Sequence, residues 1–340
     1  MVAIFFMLSA FLLYRPMIAY RTGGPPRPKV RHFARRRFLR IYPAYWVALT
    51  VLAIYPGISG PFTDHWWSFY SLAQYLMPVA SGKACSGPGY NCGLLQSWTL
   101  TVEMTFYIML PFFAAGTAWI ARRLAGKKWM WAELGLIAGL AAASLVLSLL
   151  PLGLRDKPWF IFSFAAHFDW LGVGLAMAVL SVVYGRREES LPAPLRFLAS
   201  RPSLCWSGAV VMYLISVFAF RPVPLTVAPF TNLEYLAIHF VQCAVGILLV
   251  VPVAFGNPNL GLPRRILAGP WLVGLGLVSY GFYLWQVTIG IELGYGSGNN
   301  SFLPVLIGTT LITLPLAIGS YYLIERPLML WKPGRRRRSS

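Results

Sequence analysis

The sequence predicts an all-α fold, a polytopic integral membrane helix bundle of about nine transmembrane helices with its C-terminus in the cytoplasm. Three observations lead there. Of 340 residues, 57% are hydrophobic and 11% charged, and the mean hydropathy is +0.62. A soluble domain carries roughly 25% charged residues, so soluble enzymes, disordered chains and disulfide scaffolds are excluded. Nine stretches are long and apolar enough to cross a bilayer, which takes about 20 residues of helix. Finally, Lys and Arg concentrate in alternate loops. The formal net charge of +19 therefore reads as membrane sidedness, not as nucleic-acid binding.

The nine stretches are 1–20, 38–56, 94–121, 130–151, 159–184, 204–220, 233–255, 270–292 and 302–325. The first is followed by a loop from Arg15 to Arg40 with nine basic residues. The second leads to the long 57–93 loop, whose one basic residue is Lys83. Within it, 66–80 is aromatic but short, and reads as interfacial or re-entrant. The third stretch is followed by four basic residues at 122–128, and the fourth by Arg155 and Lys157. The fifth precedes four at 186–201, the sixth precedes Arg221, and the seventh precedes Arg264 and Arg265. No basic residue separates the eighth from the ninth, and six follow from Arg326. In total 25 of 29 fall on one side. That side is cytoplasmic, and the 57–93 loop is outside. Pro and Gly inside the spans are tolerated where neighbouring helices re-satisfy the backbone.

With nine spans and a cytoplasmic C-terminus, Met1 starts outside, in an apolar run with no charged flank and no cleavage site of the signal-peptide kind. The expectation is that an upstream span is missing. Residues 1–340 read as one membrane domain, N-terminally incomplete, with 326–340 as a basic cytoplasmic tail.

Cys205 and Cys243 fall in spans and read as small apolar residues. Cys85 and Cys92 bracket Ser-Gly-Pro-Gly-Tyr-Asn in the outer loop, a segment suited to a tight turn. A disulfide is expected there, since the outer compartment permits it. A zinc site is the alternative, but it needs more ligands than two Cys at this spacing.

Ionisable groups inside a bilayer are costly and mark function. Glu103 lies about ten residues into its span, with Thr99 one turn before it on the same face. His167 and Asp169 lie eight and ten residues into theirs. Spaced by two, they point apart on a helix, so each needs its own partner. Glu234 reads as interfacial, His239 as structural, and His32 and His65 as solvated. Arg36, Arg37 and Arg40 stand where charge enters apolar sequence. Arg there either snorkels to the interface or presents a fork to phosphate. No Walker loop, G-x-S-x-G or H-E-x-x-H motif is present.

Five segments, in order, resemble the membrane acyltransferase 3 family of O-acetylase-like integral membrane acyltransferases. Residues 4–13 (IFFMLSAFLL) are similar to the family's FFxLSGFLL second span, with Ala10 for the usual Gly. Residues 36–43 (RRFLRIYP) are similar to the RRxxRxxP start of its third. Residues 98–103 with Phe106 and Tyr107 are similar to WSLxVExxFY, residues 279–285 (SYGFYLW) to SYxxYLWH, and Glu325-Arg326-Pro327 to its ERP. Gln286 stands where the family often has His. The resemblance implies ten spans with both ends cytoplasmic, and a first span, absent here, bearing an Arg and a His assigned to catalysis.

The function so implied is transfer of an acyl group, acetyl in the first instance, from acyl-CoA to a hydroxyl. The acceptor is a sugar, a glycolipid, or another cell-envelope or secondary-metabolite molecule, and the setting is the plasma (inner) membrane. The partners are the lipid bilayer, acyl-CoA as donor substrate, and a carbohydrate or lipid-linked acceptor, with no metal. Arg36, Arg37 and Arg40 are the candidates for CoA phosphates. Glu103 would orient a base or acceptor hydroxyl, with His167 and Asp169 as candidate substitutes for the absent base. Thr99, Ser279, Tyr280, Tyr283 and Gln286 would line the acyl path. Gln cannot accept a proton near neutral pH, so a chain without the first span is expected to be poorly active. A small-molecule transporter and an inactive or truncated remnant are the competing classes.

The sidedness has a direct check. Arg123→Cys and Arg187→Cys should resist membrane-impermeant thiol reagents applied to intact cells. Labelling of either from outside would overturn the topology.

Overall fold

In a lipid interior every backbone N–H and C=O needs an internal partner, and a helix supplies one within its own segment. The computed structural model describes residues 2–26, 29–76, 93–154, 157–185, 190–219, 231–255, 262–295 and 302–330. Cys85 and Cys92 lie outside the described residues. The helices are α1 (Val2–Arg21), α2 (Val30–Ile54), α3 (Trp66–Tyr70), α4 (Trp98–Ala121), α5 (Lys128–Leu149), α6 (Pro158–Ile161) and α7 (Phe168–Tyr184). They continue with α8 (Ala193–Ser200), α9 (Pro202–Ala219), α10 (Asn232–Phe255), α11 (Leu262–Leu267), α12 (Pro270–Glu292), α13 (Phe302–Ser320) and α14 (Arg326–Leu330). Eight of the described helical segments are long and apolar enough to span a membrane. The pair α8 and α9, bent by 91°, makes a ninth if it is one span.

Four boundaries differ from the sequence reading. Helix α2 begins at Val30, so Arg31 to Arg40 form its first turns instead of a loop. Arg is a good helix former, and no Pro or Gly follows Pro28 until Pro43. The expected 159–184 span is broken: a three-ten turn, Ala165–His167, precedes α7. The expected 204–220 span starts at Pro202, after the bend from α8. The last helix does not stop at residue 325. It runs through a π-helical turn, Tyr321–Glu325, into α14.

The chain divides into two units: Met1–Arg27, Leu72–Ser81 and Trp98–Leu272 form the first, and the remainder the second. In the first, Ala165–Tyr184, the stretch that contains α7, is the most enclosed of the described spans, with 72% of its most apolar stretch buried. It packs against α1 so closely that a Cβ on Gly174 would lie 2.2 Å from the Met7 carbonyl oxygen and 2.8 Å from Ala10 Cβ. The other flank of Met7 meets α10, where a Cβ on Gly246 would stand 2.5 Å from Met7 Sδ. Small residues at helix contacts are what let backbones approach in membranes. Trp206 Nε1 donates to the Leu249 carbonyl (3.3 Å), tying α9 to α10, and Tyr235 Oη donates to Ser148 Oγ (3.1 Å), tying α10 to α5.

In the second unit, α2 clasps the C-terminal end of α3. Tyr45 Oη donates to the Phe69 carbonyl (2.6 Å), Trp46 Nε1 to Tyr70 (2.8 Å) and Tyr42 Oη to Ser71 (3.2 Å). These are the carbonyls that a helix end leaves without intrahelical partners. Phe69 fills the space above Gly60, whose φ is +111° and where a Cβ would lie 2.3 Å from its ring. Helices α12 and α13 approach at Gly281, whose Cβ would be 3.0 Å from Ala317 Cα.

The two close glycines of the first unit separate in kind. Gly174→Ala drives a methyl into backbone, so its loss should lie in or above the usual overpacking range of about 1–3 kcal/mol. Gly246→Ala meets only the tip of a flexible Met and should cost much less. Thermal unfolding of both variants in detergent checks the order.

Candidate functional site

Polar side chains buried inside the first unit form three groups along α1. The first is at the end carrying Arg21. Glu133 enters α5 in its second turn and is buried. Arg21 Nη2 donates to Glu133 Oε2 at 2.5 Å, and Tyr14 Oη donates to Glu133 Oε1. Tyr14 Oη also pairs with Thr117 Oγ1 at 2.8 Å, and Arg21 Nη1 donates to the same hydroxyl at 3.2 Å. The Arg21 guanidinium lies 5.2 Å from the Trp129 ring centroid. A buried carboxylate is tolerable only when its oxygens are so occupied.

Beside this group a cavity of about 880 Å³ opens between the Arg21 end of α1 and the C-terminal end of α4. Arg21, Arg122, Tyr14, Tyr20, Trp119 and Trp129 line it, with alanines of α4 between. Guanidinium groups and aromatic faces thus border one concave space of the size small ligands take.

The second group centres on Glu103, buried on α4. Ser9 Oγ donates to its Oε1 at 2.8 Å, and Tyr107 Oη, one turn along α4, donates to the same oxygen. Thr99 is buried one turn before it, and Thr101 Oγ1 donates to the Leu72 carbonyl at 2.8 Å.

The third group sits at the other end of α1, around Phe6. His167 ends the three-ten turn, its Nδ1 3.1 Å from the Ser163 carbonyl. Asp169, two residues on, pairs instead with α10: His239 Nδ1 lies 2.8 Å from Asp169 Oδ2. Each residue has its own partner, as their spacing requires. The two imidazole centroids are 6.0 Å apart. The His239 ring lies between Trp170 (4.5 Å) and Tyr235 (4.3 Å), while Trp98 and Phe6 flank His167 at 5.1 and 5.9 Å.

The remaining sequence candidates belong to the second unit. Arg36 and Arg40 are exposed on α2, and Arg37 is half-buried, its guanidinium 5.9 Å from the Phe33 ring centroid. Tyr280 Oη donates to the Ile41 carbonyl (2.8 Å) and Tyr283 Oη to the Gln96 carbonyl (2.7 Å). Gln96 Nε2 in turn donates to the Leu284 carbonyl at 2.7 Å. Ser279 is exposed and donates to Gly276 of its own helix (2.8 Å), and Gln286 is half-buried. Glu325 is buried in the π turn, with Ser320 Oγ donating to it at 3.4 Å. Among the described residues no group of three His, Cys, Asp or Glu is arranged to hold a metal ion.

Sequence reasoning did not single out Tyr14, Arg21 or Glu133. Glu133 carried the same signal as Glu103, an acid within an apolar stretch. It stands five residues after Lys128, at the edge of a basic loop, where an acid stands out less.

A family model described as an acyltransferase domain matches residues 1–323. Over 344 residues the chain is 26% identical to the exopolysaccharide production protein ExoZ of Rhizobium meliloti (strain 1021), covering 99% of this chain and 90% of that protein. Over 356 residues it is 23% identical to the acyltransferase MdmB of Streptomyces mycarofaciens, covering 99% and 82% respectively. No solved structure is matched.

The Arg21–Glu133 pair predicts an asymmetry. Arg21→Met leaves a buried carboxylate without its counter-charge and should cost about 3–5 kcal/mol. Arg21→Met with Glu133→Met should recover most of that loss. Denaturation of the single and double variants in detergent provides the comparison.

Proposed function

The chain belongs to the acyltransferase family whose domain model spans residues 1–323 and is a multi-pass membrane acyltransferase; from that premise we propose that its donor is a cytoplasmic acyl-CoA and its acceptor a hydroxyl of a carbohydrate or lipid-linked molecule at the plasma membrane. The observation that carries the donor half is the cavity between α1 and α4. A CoA thioester presents a purine, several phosphates and a long flexible arm. Trp119, Trp129 and Tyr20 offer faces for the purine, and Arg122 and Arg21 offer guanidinium donors for phosphate. The cavity lies at the basic ends of α1 and α4, the cytoplasmic side by the positive-inside rule. From Tyr14 the polar groups of α1 continue towards the opposite face through Ser9 and Glu103.

In this reading Glu103, braced by Ser9 and Tyr107, orients the acceptor hydroxyl or the base that deprotonates it. The exopolysaccharide named for ExoZ supports a carbohydrate acceptor. Tyr280 and Tyr283 have their hydroxyls committed to backbone carbonyls, so they support helix positions in their own unit. Arg36, Arg37 and Arg40 are the rival phosphate site.

The test is acetyl-CoA turnover by the full chain in lipid nanodiscs. Arg122→Ala should raise the KM for acetyl-CoA about tenfold, since a charge-assisted hydrogen bond contributes roughly 1.5–3 kcal/mol, with kcat little changed. Glu103→Gln should lower kcat instead. A KM that rises for Arg40→Ala and not for Arg122→Ala would move the donor site to α2. Absence of thiol release from acetyl-CoA by the unaltered chain would overturn the acyl-CoA reading.

A further inference from the structure

The two guanidinium groups that border the donor cavity have different surroundings. Arg122 directly follows α4, is exposed, and has no acidic partner among the described residues. The Arg21 side chain is 15% exposed and is paired with that of Glu133, which is 2% exposed. Tyr14, which donates to the same carboxylate, is fully buried. The cavity thus passes from an uncompensated charge at its mouth to a compensated one deeper in. Buried ion pairs are costly, and apolar residues of similar volume often hold helices together as well or better. Helix packing alone is therefore a poor account of Arg21 and Glu133.

The hydrogen bonds of the pair decide what Arg21 can offer a ligand. Its Nη2 donates to Glu133 Oε2 at 2.5 Å and its Nη1 to Thr117 Oγ1 at 3.2 Å. The Trp129 ring centroid lies 5.2 Å from the guanidinium carbon. The group is therefore held in place along its edge and over its face. A guanidinium has five N–H groups, so the other three are without a hydrogen-bond partner among the described residues. Arg21 lines the cavity, and these are the donors it brings there. With Glu133 beside it, it brings them with little net charge. A phosphate at this place would be repelled by the carboxylate. A neutral carbonyl oxygen accepts the same N–H groups without that penalty.

We infer that Arg21, positioned by Glu133 and Thr117, holds the amide carbonyls of the donor's pantetheine arm, and that phosphate binding in the cavity falls to Arg122. The inference rests on the acyl-CoA reading above and narrows its two phosphate donors to one. The order of groups along the ligand matches the order along the cavity. A CoA thioester has its phosphates towards one end, its amides along the arm, and its thioester at the other end. Taking phosphate out of water is costly, so the charged end belongs with exposed Arg122. The neutral arm passes Arg21, where Ala114, Ala115 and Ala118 of α4 leave room beside it. The thioester end lies towards buried Tyr14, beyond which α1 carries Ser9 to Glu103.

The experiment uses the full chain in nanodiscs and two donors, acetyl-CoA and S-acetylpantetheine, which keeps the amides and the thioester but has no phosphate. Arg21→Met with Glu133→Met removes the N–H donors and the buried charges together. It should raise the KM for acetyl-CoA about tenfold, the size expected of one or two lost hydrogen bonds, with kcat within about threefold. It should lower kcat/KM for S-acetylpantetheine by the same factor as for acetyl-CoA. Arg122→Ala should penalise acetyl-CoA alone. If the double variant fails to fold, Arg21→Lys carries the same test, since Lys keeps a charge for Glu133 and lacks the planar fork. Unchanged kinetics of the folded variant with both donors would overturn the inference and leave the pair a structural one. A penalty confined to acetyl-CoA would make Arg21 a second phosphate ligand, which overturns the inference and leaves the acyl-CoA reading standing. No thiol release from either donor by the unaltered chain overturns both.

Discussion

Helix α1 comes so near α7 that the Met7 carbonyl oxygen occupies the place a side chain at Gly174 would need. Gly246 on α10 admits the Met7 side chain from the other flank. This contact sets the height and rotation of α1 in its unit, and the three polar groups of that unit are referred to it. One residue before Met7, Phe6 lands on His167 and Trp170. Two residues after, Ser9 reaches Glu103. A further turn and a half brings Tyr14 to Glu133 and Thr117. Dispersion contacts of tightly packed small residues hold such an arrangement where no hydrophobic force acts between helices.

Once α1 is so placed, the cost of burying polar groups is met locally. Glu133 receives Arg21 and Tyr14, and Glu103 receives Ser9 and Tyr107. The Asp169 carboxylate is one exception, with one oxygen on His239 and the other without a hydrogen-bond partner among the described residues. A lone pair left idle in low dielectric costs about 1–3 kcal/mol. Natural sequences keep such costs where a ligand or a reaction offsets them.

The second unit solves the backbone problem with aromatic donors. Tyr42, Tyr45 and Trp46 of α2 cap the carbonyls that end α3, and Tyr280 and Tyr283 of α12 donate to the carbonyls of Ile41, within α2, and Gln96. An aromatic side chain carries one polar atom on a large apolar body, so it reaches a buried carbonyl without bringing charge into the bilayer. The Tyr280 and Tyr283 hydroxyls, expected along the acyl path, each donate to a backbone carbonyl.

What the sequence by itself determined was the helices and the fact that Glu103, His167 and Asp169 would lie inside them; the charge in the loops set the expected sidedness. Hydropathy, charge in loops and the depth of a residue in its span are local quantities, readable without a partner. Helix ends were less legible, because Arg31 to Arg40 is at once good helix former and good loop. Only the tertiary structure decided the pairs. Asp169 meets His239 across 70 residues of chain, and Arg21 meets Glu133 across 112. It also decided that Arg21 and Arg122 border a cavity while Ser279 faces outward. Those outcomes depend on how closely helices approach and how they are rotated, which small residues such as Gly174 set. A periodicity in one segment says which face is buried, but not which distant face it will meet.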